Sequence, residues 1–287
     1  MKKNLKKKKD SPLVSVIIMT YNAAWSLDRC LASLKKQTYP NVEIIVVDKY
    51  STDKTRGIAK NFGAKVYLAP KERCTQMNIG AKKAKGKYLY FTGSDFEYDH
   101  SFIKKAVEEI ERGQADGIRM SVLTKSDSFW GKVKGLERLC YVGDDTIETV
   151  RFLPKTIFEK IGGWDESLVA GEDYDLQVRL DQAGYKSGRV EGCFEWHLGE
   201  VTSLKQIFKK AFYYGTTIGK YMKKNPQQAR HQMVPIRPAF IRHWKLFVKH
   251  PTLTIGFIIL KIVQYLGGVF GMVYIKLNRS PKSNEKE

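Results

Sequence analysis

The chain has 287 residues, and a hydrophobic share of 43% is ordinary for a protein that buries a core. Fifty Lys and Arg against 30 Asp and Glu give a formal charge of +20, which implies an anionic partner such as a phosphorylated substrate or an acidic lipid surface. No nucleic acid is expected, because the lysines do not interleave with a recognition module. The four cysteines (Cys30, Cys74, Cys140, Cys193) form no C-x-x-C pair, which argues against a zinc or dithiol site and fits a reducing, cytoplasmic setting.

Residues 1–11 hold six lysines at positions 2–9 and almost no apolar content, so a disordered basic tail is expected, not a secretory signal. Such a tail can rest on anionic lipid. Residues 13–19 (LVSVIIM) are β-branched and apolar and predict a buried parallel strand. Leu27, Leu31 and Leu34 predict a helix over 25–37, with Ser26 as its cap. Pro40 and Asn41 turn the chain into a second strand, 42–47 (VEIIVV). Ser51, Thr52 and Asp53 can cap a helix that runs to Phe62, Gly63 stops it, and 65–69 is a third strand. A helix over 73–84, a strand over 87–92 and a helix over 99–112 continue the alternation. The pattern predicts an α/β fold: an open, mostly parallel sheet with helices on both faces. Right-handed crossovers then collect the strand C-terminal ends along one edge, where ligands bind.

Periodicity weakens after residue 124. The sequence suggests a helix over 128–141, a strand over 148–153, a loop at Gly162-Gly163-Trp164, a helix over 172–183 and an extended stretch over 187–196. Residues 203–224 form a basic amphipathic helix, with Leu204, Ile207, Phe208, Ala211 and Phe212 on one side. It either packs on the domain or lies on a membrane. Residues 236–250 mix aromatic and basic side chains, as interfacial segments do. Residues 252–275 are nearly continuous in apolar character and long enough to span hydrocarbon. Lys261 near the middle is costly there, by about 3 kcal/mol, and Gly267-Gly268 can break the run. Basic residues flank both ends, which favours a re-entrant or in-plane hairpin over a single span and keeps both flanks cytoplasmic. The expected organisation is a tail over 1–11, a catalytic domain over 12–202, interfacial helices over 203–250, a hydrophobic membrane-associated segment over 251–278 and a polar tail over 279–287.

Four signals fall where the sheet edge would hold a ligand. Thr20-Tyr21-Asn22 follows the first strand: a tyrosine can stack on a base and its polar neighbours can hold a ribose. Asp48 ends the second strand and can accept hydrogen bonds from a base or ribose. Gly93-Ser94-Asp95 ends the fourth, with Glu97 and Asp99 close by. Carboxylates there suit Mg2+ or Mn2+ bridging a diphosphate. Gly171-Glu172-Asp173-Tyr174-Asp175 reads as a loop entering a helix, where the dipole stabilises carboxylates and one acid can serve as a general base. A nucleotidyltransferase would want glycines after the first strand, and residues 20–26 (TYNAAWS) have none.

The order VSVIIMTYN, VEIIVVDKYSTDKT, GKYLYFTGSD and IGGWDESLVAGEDYDLQVRL resembles that of family-2 glycosyltransferases with the GT-A fold, over about residues 13–200. The resemblance implies a metal-dependent, inverting hexosyltransferase that uses a UDP- or GDP-sugar in cell-envelope or protein glycosylation. It implies base recognition by Tyr21 and Asp48, with Thr20 and Asn22 beside them, and an arginine facing the nucleotide at Arg73. It implies donor and metal contact at Ser94 and Asp95, a general base at Asp173 supported by Glu172, and a histidine on the metal or diphosphate at His197. Two positions depart from the pattern. Gly93 replaces the first acid of the D-x-D motif, and Lys49-Tyr50 replace the acid-glycine pair after Asp48. Asp95, with His197 or Glu97, must then hold the cation. The membrane features imply a lipid-linked saccharide or polyprenyl phosphate acceptor at the cytoplasmic face of the cell membrane. Gly93 motivates the alternative, a non-catalytic nucleotide-sugar-binding or scaffold protein.

Overall fold

A computed structural model describes residues 11–70, 72–232 and 234–278; most of the basic N-terminal tail and the polar tail over 279–287 lie outside them. The chain forms two compact units. One comprises the described part of Met1–Lys125 with Tyr141–Glu166 and Glu172–Gly199. The other comprises Ser126–Cys140, Ser167–Gly171 and the described part of Glu200–Glu287.

The first unit is built on strands β1 (Val14–Thr20), β2 (Val42–Asp48), β3 (Lys65–Leu68), β4 (Tyr88–Gly93), β5 (Phe96–Tyr98), β6 (Gly117–Arg119), β7 (Val122–Thr124), β8 (Val150–Pro154), β9 (Ser187–Gly188) and β10 (Glu195–His197). Seven of them make a sheet in the order β3-β2-β1-β4-β8-β6-β9. The β1–β2, β1–β4, β2–β3 and β6–β9 pairs are parallel, and β8 runs antiparallel to both β4 and β6. Strand alternation feeds two cores. Val16, Ile18, Val46 and Tyr90 face one, with Leu27 and Leu31 of helix α1 (Leu27–Lys35). Ile17, Ile45, Val47, Leu89 and Phe91 face the other, with Met77 and Ala81 of helix α3 (Arg73–Lys83), α2 being Thr55–Asn61. Gly80 lets α3 reach the sheet, since a Cβ there would stand 2.3 Å from Ile17 Cγ2. Helix α4 (Phe102–Glu111) starts later than the sequence suggested because residues 99–101 form a turn, closed by Phe102 N–H on the Asp99 carbonyl (3.1 Å). The extended stretch over 187–196 resolves into β9 and β10, and β10 joins β5 and β7 in a second, three-stranded sheet.

The second unit contains helix α5 (Phe129–Leu139), with Ser128 Oγ capping its N-terminus through Gly131 N–H. Helices α6 (Lys155–Lys160) and α7 (Glu172–Gln182) belong to the first unit. The predicted helix over 203–224 divides at Ile218 into α8 (Leu204–Thr217) and α9 (Gly219–Lys224). Short helices α10 (Pro226–Gln232), α11 (Pro238–Arg242) and α12 (Trp244–Lys249) lead into α13 (Pro251–Asn278). The expected break at Gly267-Gly268 does not occur: α13 is one continuous helix of 28 residues, long and apolar enough to cross a membrane. Its glycines form a crossing seam. A Cβ on Gly267 would lie 2.8 Å from the carbonyl oxygen of Phe208, one on Gly271 would lie 2.2 Å from that of Phe212, and one on Gly215 of α8 would lie 2.2 Å from that of Gly268. Glycine is used here for close backbone approach, not for flexibility. Lys261 does not point outward with the apolar face. It faces inward, pairs with buried Glu137 of α5, and lies 5.5 Å and 5.6 Å from the ring centres of Phe240 and Phe257.

Candidate active site

Strand register brings the first signals to one edge. Thr20 aligns with Asp48 across β1–β2, and Met19 with Gly93 across β1–β4, so the three following loops leave side by side. Asp48 is fully buried. Its carboxylate accepts the Thr20 hydroxyl (2.8 Å), the Ser51 N–H (2.8 Å) and the Ser51 hydroxyl (2.5 Å). Asn22 N–H donates to Ser51 Oγ (2.8 Å) and Thr52 N–H to Asn22 Oδ1 (2.9 Å), which stitches the β1–α1 and β2–α2 loops together. The stitching holds Asn22 and Tyr50 at φ 46° and 53°, in the left-handed region. Asp48 therefore lies beneath the loop surface. Tyr21 and Tyr50, 61% and 54% exposed, stand out from it, and Lys49 Nζ sits 5.6 Å from the Tyr21 ring centre. The two residues that depart from the acid-glycine pattern are thus a half-buried cation paired with Glu72 at 2.7 Å and an exposed aromatic ring.

Ser94 and Asp95 form the half-buried turn between β4 and β5. Strand β10 runs antiparallel to β5 with His197 opposite Phe96, which sets His197 Nε2 at 3.3 Å from Asp95 Oδ2. Leu198 N–H donates to the Asp95 carbonyl (2.8 Å) and fixes the turn. A Cβ on Gly93 would lie 2.8 Å from Asp95 Oδ1, and one on Gly199 would lie 2.9 Å from both Asp95 Oδ2 and the Trp25 ring. The Asp95 carboxylate thus occupies space that an acid at position 93 would claim, and Trp25, 60% exposed, borders it. Adjacent ligands of an octahedral cation with bonds of about 2.1 Å stand about 3.0 Å apart, so one cation can touch both Asp95 and His197. Among the described residues no group of three or more His, Cys, Asp or Glu gathers to hold a cation alone. Glu97, the other expected partner, is taken: Arg29 and Lys125 hold it at 2.7 Å and 2.6 Å. Burial opposes its charge, but those two cations outweigh the penalty and lower its pKa. Asp99 is likewise occupied, by Phe194 N–H (2.8 Å) and the Trp196 indole (3.3 Å).

Under this turn lies a buried pair that the sequence did not announce. Glu195 is fully buried, 2.6 Å from Arg151 Nη2, and accepts the Tyr90 hydroxyl at 2.5 Å. Burial raises its pKa, and Arg151 and Tyr90 oppose that rise. Asp95 and His197 act on Glu195 electrostatically, and Asp173 acts on its partner Arg151. One available signal was spacing: Glu195 lies two residues before His197, and residues two apart on a strand share a face. Trp25 carried no such signal.

Helix α7 begins with Glu172, Asp173 and Asp175, where the helix dipole favours carboxylates. Glu172 is mostly buried and 3.0 Å from Arg73 Nη2, at the start of α3. Burial first, and then the neighbouring Asp173, push the Glu172 carboxyl up to about 7 against the pull of Arg73. On the same turn of α3 as Arg73, Gln76 donates to the carbonyls of Thr20 (3.0 Å) and Val47 (2.7 Å) and anchors it at the β1–β2 edge. Asp173 is partly exposed. Asp175 is committed to Arg179 (2.9 Å), and Glu166 to Thr75 (2.8 Å) and Asn78 (3.0 Å), which makes them structural.

The chain is similar to known proteins. The family described as glycosyl transferase family 2 matches residues 15–165. An uncharacterized glycosyltransferase of Rickettsia prowazekii (strain Madrid E) is 33% identical over 187 residues, a stretch that is 59% of this chain and 59% of that protein. A PGL/p-HBAD biosynthesis glycosyltransferase of Mycobacterium tuberculosis (strain ATCC 25618 / H37Rv) is 30% identical over 182 residues, 59% of this chain and 70% of its own length. Among solved structures, a mannosyltransferase from Pyrobaculum calidifontis in complex with GDP-Man and Mn2+ covers 97% of this chain and 94% of its own, with TM-score 0.65 and 15% identity. S. aureus TarS 1–349 in complex with UDP-GlcNAc covers 71% and 65%, with TM-score 0.52 and 19% identity. At those identities the two structures speak for the fold, and the matched stretch of sequence speaks for descent: the chain belongs to glycosyl transferase family 2.

Proposed function

We propose that the protein transfers a hexose from a UDP- or GDP-sugar to a membrane-borne acceptor, with inversion at the anomeric carbon, at the cytoplasmic face of a membrane. The observation that carries this is the 3.3 Å pairing of Asp95 with His197 at the strand-end edge. Tyr21 and Tyr50 offer surfaces for the base, Asp48 with Thr20 and Ser51 holds their loops in shape, and Arg73 and Lys49 face the diphosphate. Asp95 and His197 would hold a divalent cation, whose charge would neutralise the leaving nucleoside diphosphate. Asp173 takes the proton of an acceptor hydroxyl as that oxygen bonds to the anomeric carbon and the bond to the nucleoside diphosphate breaks. Glu172, its carboxyl pushed up to about 7 by burial and by Asp173, stands next to it at the start of the same helix. Fold neighbours that bind GDP-Man with Mn2+ and UDP-GlcNAc support the donor class and the cation.

The membrane half of the reading rests on the exposed face of α13. Ile255, Ile258, Ile262, Leu266, Val269 and Val273 recur every three or four residues and are 46–62% exposed, while Gly256, Leu260, Gly267 and Gly271 face inward. Ile241, Trp244 and Val248, all more than half exposed, extend the apolar surface. Such a face marks a partner surface. Lying in the membrane interface suits it better than a crossing, because a crossing α13 would carry the lysines of α8 and α5 packed along it into hydrocarbon.

The test is a panel of UDP- and GDP-sugars measured with and without Mn2+ by thermal stabilisation and by release of nucleoside diphosphate. The expected result is cation-dependent stabilisation by one nucleotide class, and a product of inverted anomeric configuration. Binding without release or transfer would favour the non-catalytic alternative, and absence of binding in every arm would sink the donor site.

A further inference from the structure

The buried ion pair of Arg151 and Glu195 is tied to the Asp95 turn by three routes. Glu195 gives one carboxylate oxygen to Arg151 at 2.6 Å and the other to the Tyr90 hydroxyl at 2.5 Å. The first route is the strand itself. Glu195 and His197 lie two residues apart on β10 and share a face, about 7 Å from each other. The second is aromatic. Arg151 Cζ lies 5.6 Å from the centre of the Phe96 ring, and Phe96 packs edge-on against the His197 ring at 4.9 Å and 84°. The third is a chain of hydroxyls. Thr92 donates to Glu195 (3.5 Å), and the Tyr98 hydroxyl stands 2.7 Å from Thr92 Oγ1 and 3.2 Å from the carbonyl of Gly93, where the chain enters the turn.

A buried ion pair is a costly way to hold strands together, since an apolar pair of like volume often stabilises as well or better. What charge adds is direction: each oxygen of Glu195 has one assigned donor. A cation site needs such definition, because ligand bonds of about 2.1 Å leave little slack. We propose that Arg151 and Glu195 are positioning residues for the Asp95–His197 cation site, fixing the end of β10 so that His197 meets Asp95. The inference rests on the reading of Asp95 and His197 as the groups that hold the cation. Residues that orient metal-binding side chains are worth about 10- to 100-fold in metal affinity, and that size of effect is expected here.

The experiment uses the full chain in a neutral detergent. Mn2+ is titrated in the presence of UDP or GDP, and the free ion is read by electron paramagnetic resonance. Arg151→Met combined with Glu195→Gln removes both charges together, so neither is left buried alone, and it keeps an acceptor for Tyr90. This double variant should melt within a few degrees of the wild type and bind Mn2+ about 10- to 100-fold more weakly. Nucleotide binding without the cation should stay within about twofold, which a general loss of structure would not allow. Arg151→Lys, which keeps the charge and loses the planar fork, should fall between the two. Wild-type Mn2+ affinity in the double variant, or an equal loss of cation-free nucleotide binding, would overturn the proposal. If the double variant does not fold, unchanged Mn2+ affinity in Arg151→Lys overturns it. If the wild type binds no Mn2+ with either nucleotide, the cation reading fails by itself. Positioning is then judged in the metal-free protein by amide exchange at Leu198, whose N–H donates to the Asp95 carbonyl at 2.8 Å. Exchange about tenfold faster in Arg151→Lys supports the positioning role, and exchange at the wild-type rate ends it.

Discussion

The two units use the same residue types in opposite senses. In the sheet unit, β-branched and aromatic side chains alternate into two buried cores, and carboxylates stand at the strand ends. In the helical unit the longest apolar run shows most of its face to the outside, while an acid, Glu137, is buried between two lysines. Hydrophobicity in the first unit is buried in the cores, and in the second a large part stays exposed on one helix. Charge likewise gathers at the sheet edge in one unit and joins helices around Glu137 in the other.

Four experiments break or sharpen that contrast, in falling order of expected effect. Asp173→Asn should lower turnover by about 10²–10⁴ while donor binding, read by thermal shift, is retained. Near-normal turnover would remove Asp173 from the base role and point to an acceptor whose oxygen is already anionic. Glu137→Gln should cost about 3–5 kcal/mol in chemical denaturation, because it strands Lys134 and Lys261 in a buried site. A cost below 1 kcal/mol would mean that the cluster does not organise the helical unit. Paired substitution of Ile258 and Leu266 by Lys, both at least half exposed, should reduce sedimentation with anionic vesicles tenfold or more and leave the melting temperature within a few degrees. Loss of fold instead would show that this face is core.

The smallest effect concerns pH. Glu172 has a pKa of about 7 in the folded chain, above its value in an unfolded one, so it favours folding below the unfolded pKa and loses that contribution as pH rises to about 7. The wild type should gain stability from pH 8 to pH 5 relative to Glu172→Gln, whose curve should be flatter over the same window. Parallel curves would show that burial beside Asp173 does not tune this carboxyl.

Much of the sheet unit was legible because its strands obey simple rules. VSVIIMT, VEIIVVD and the run from Tyr88 to Gly93 are continuous apolar segments closed by polar turn residues, so burial on two faces and the ligand edge follow from pattern alone. The short strands β5, β7 and β9 were not, since two or three residues carry no periodicity. The availability of Glu97 was misjudged for a related reason: Arg29 and Lys125, which occupy it, are remote in sequence.

Sequence by itself determined the mostly parallel sheet, the edge at which Thr20, Asp48 and Gly93 end their strands, the acidic start of α7 and a C-terminal run apolar enough for a membrane. These are local properties, set by period, propensity and turn chemistry within a dozen residues. Tertiary structure decided which groups meet: His197 beside Asp95, Arg151 beneath both on Glu195, and Lys261 turned inward onto Glu137. It also made Gly267 and Gly271 a packing seam instead of a break. Those outcomes depend on side chains far apart in the chain sharing a few ångströms, and the cost of burying a charge or crowding two backbones is fixed only when the partner is in place.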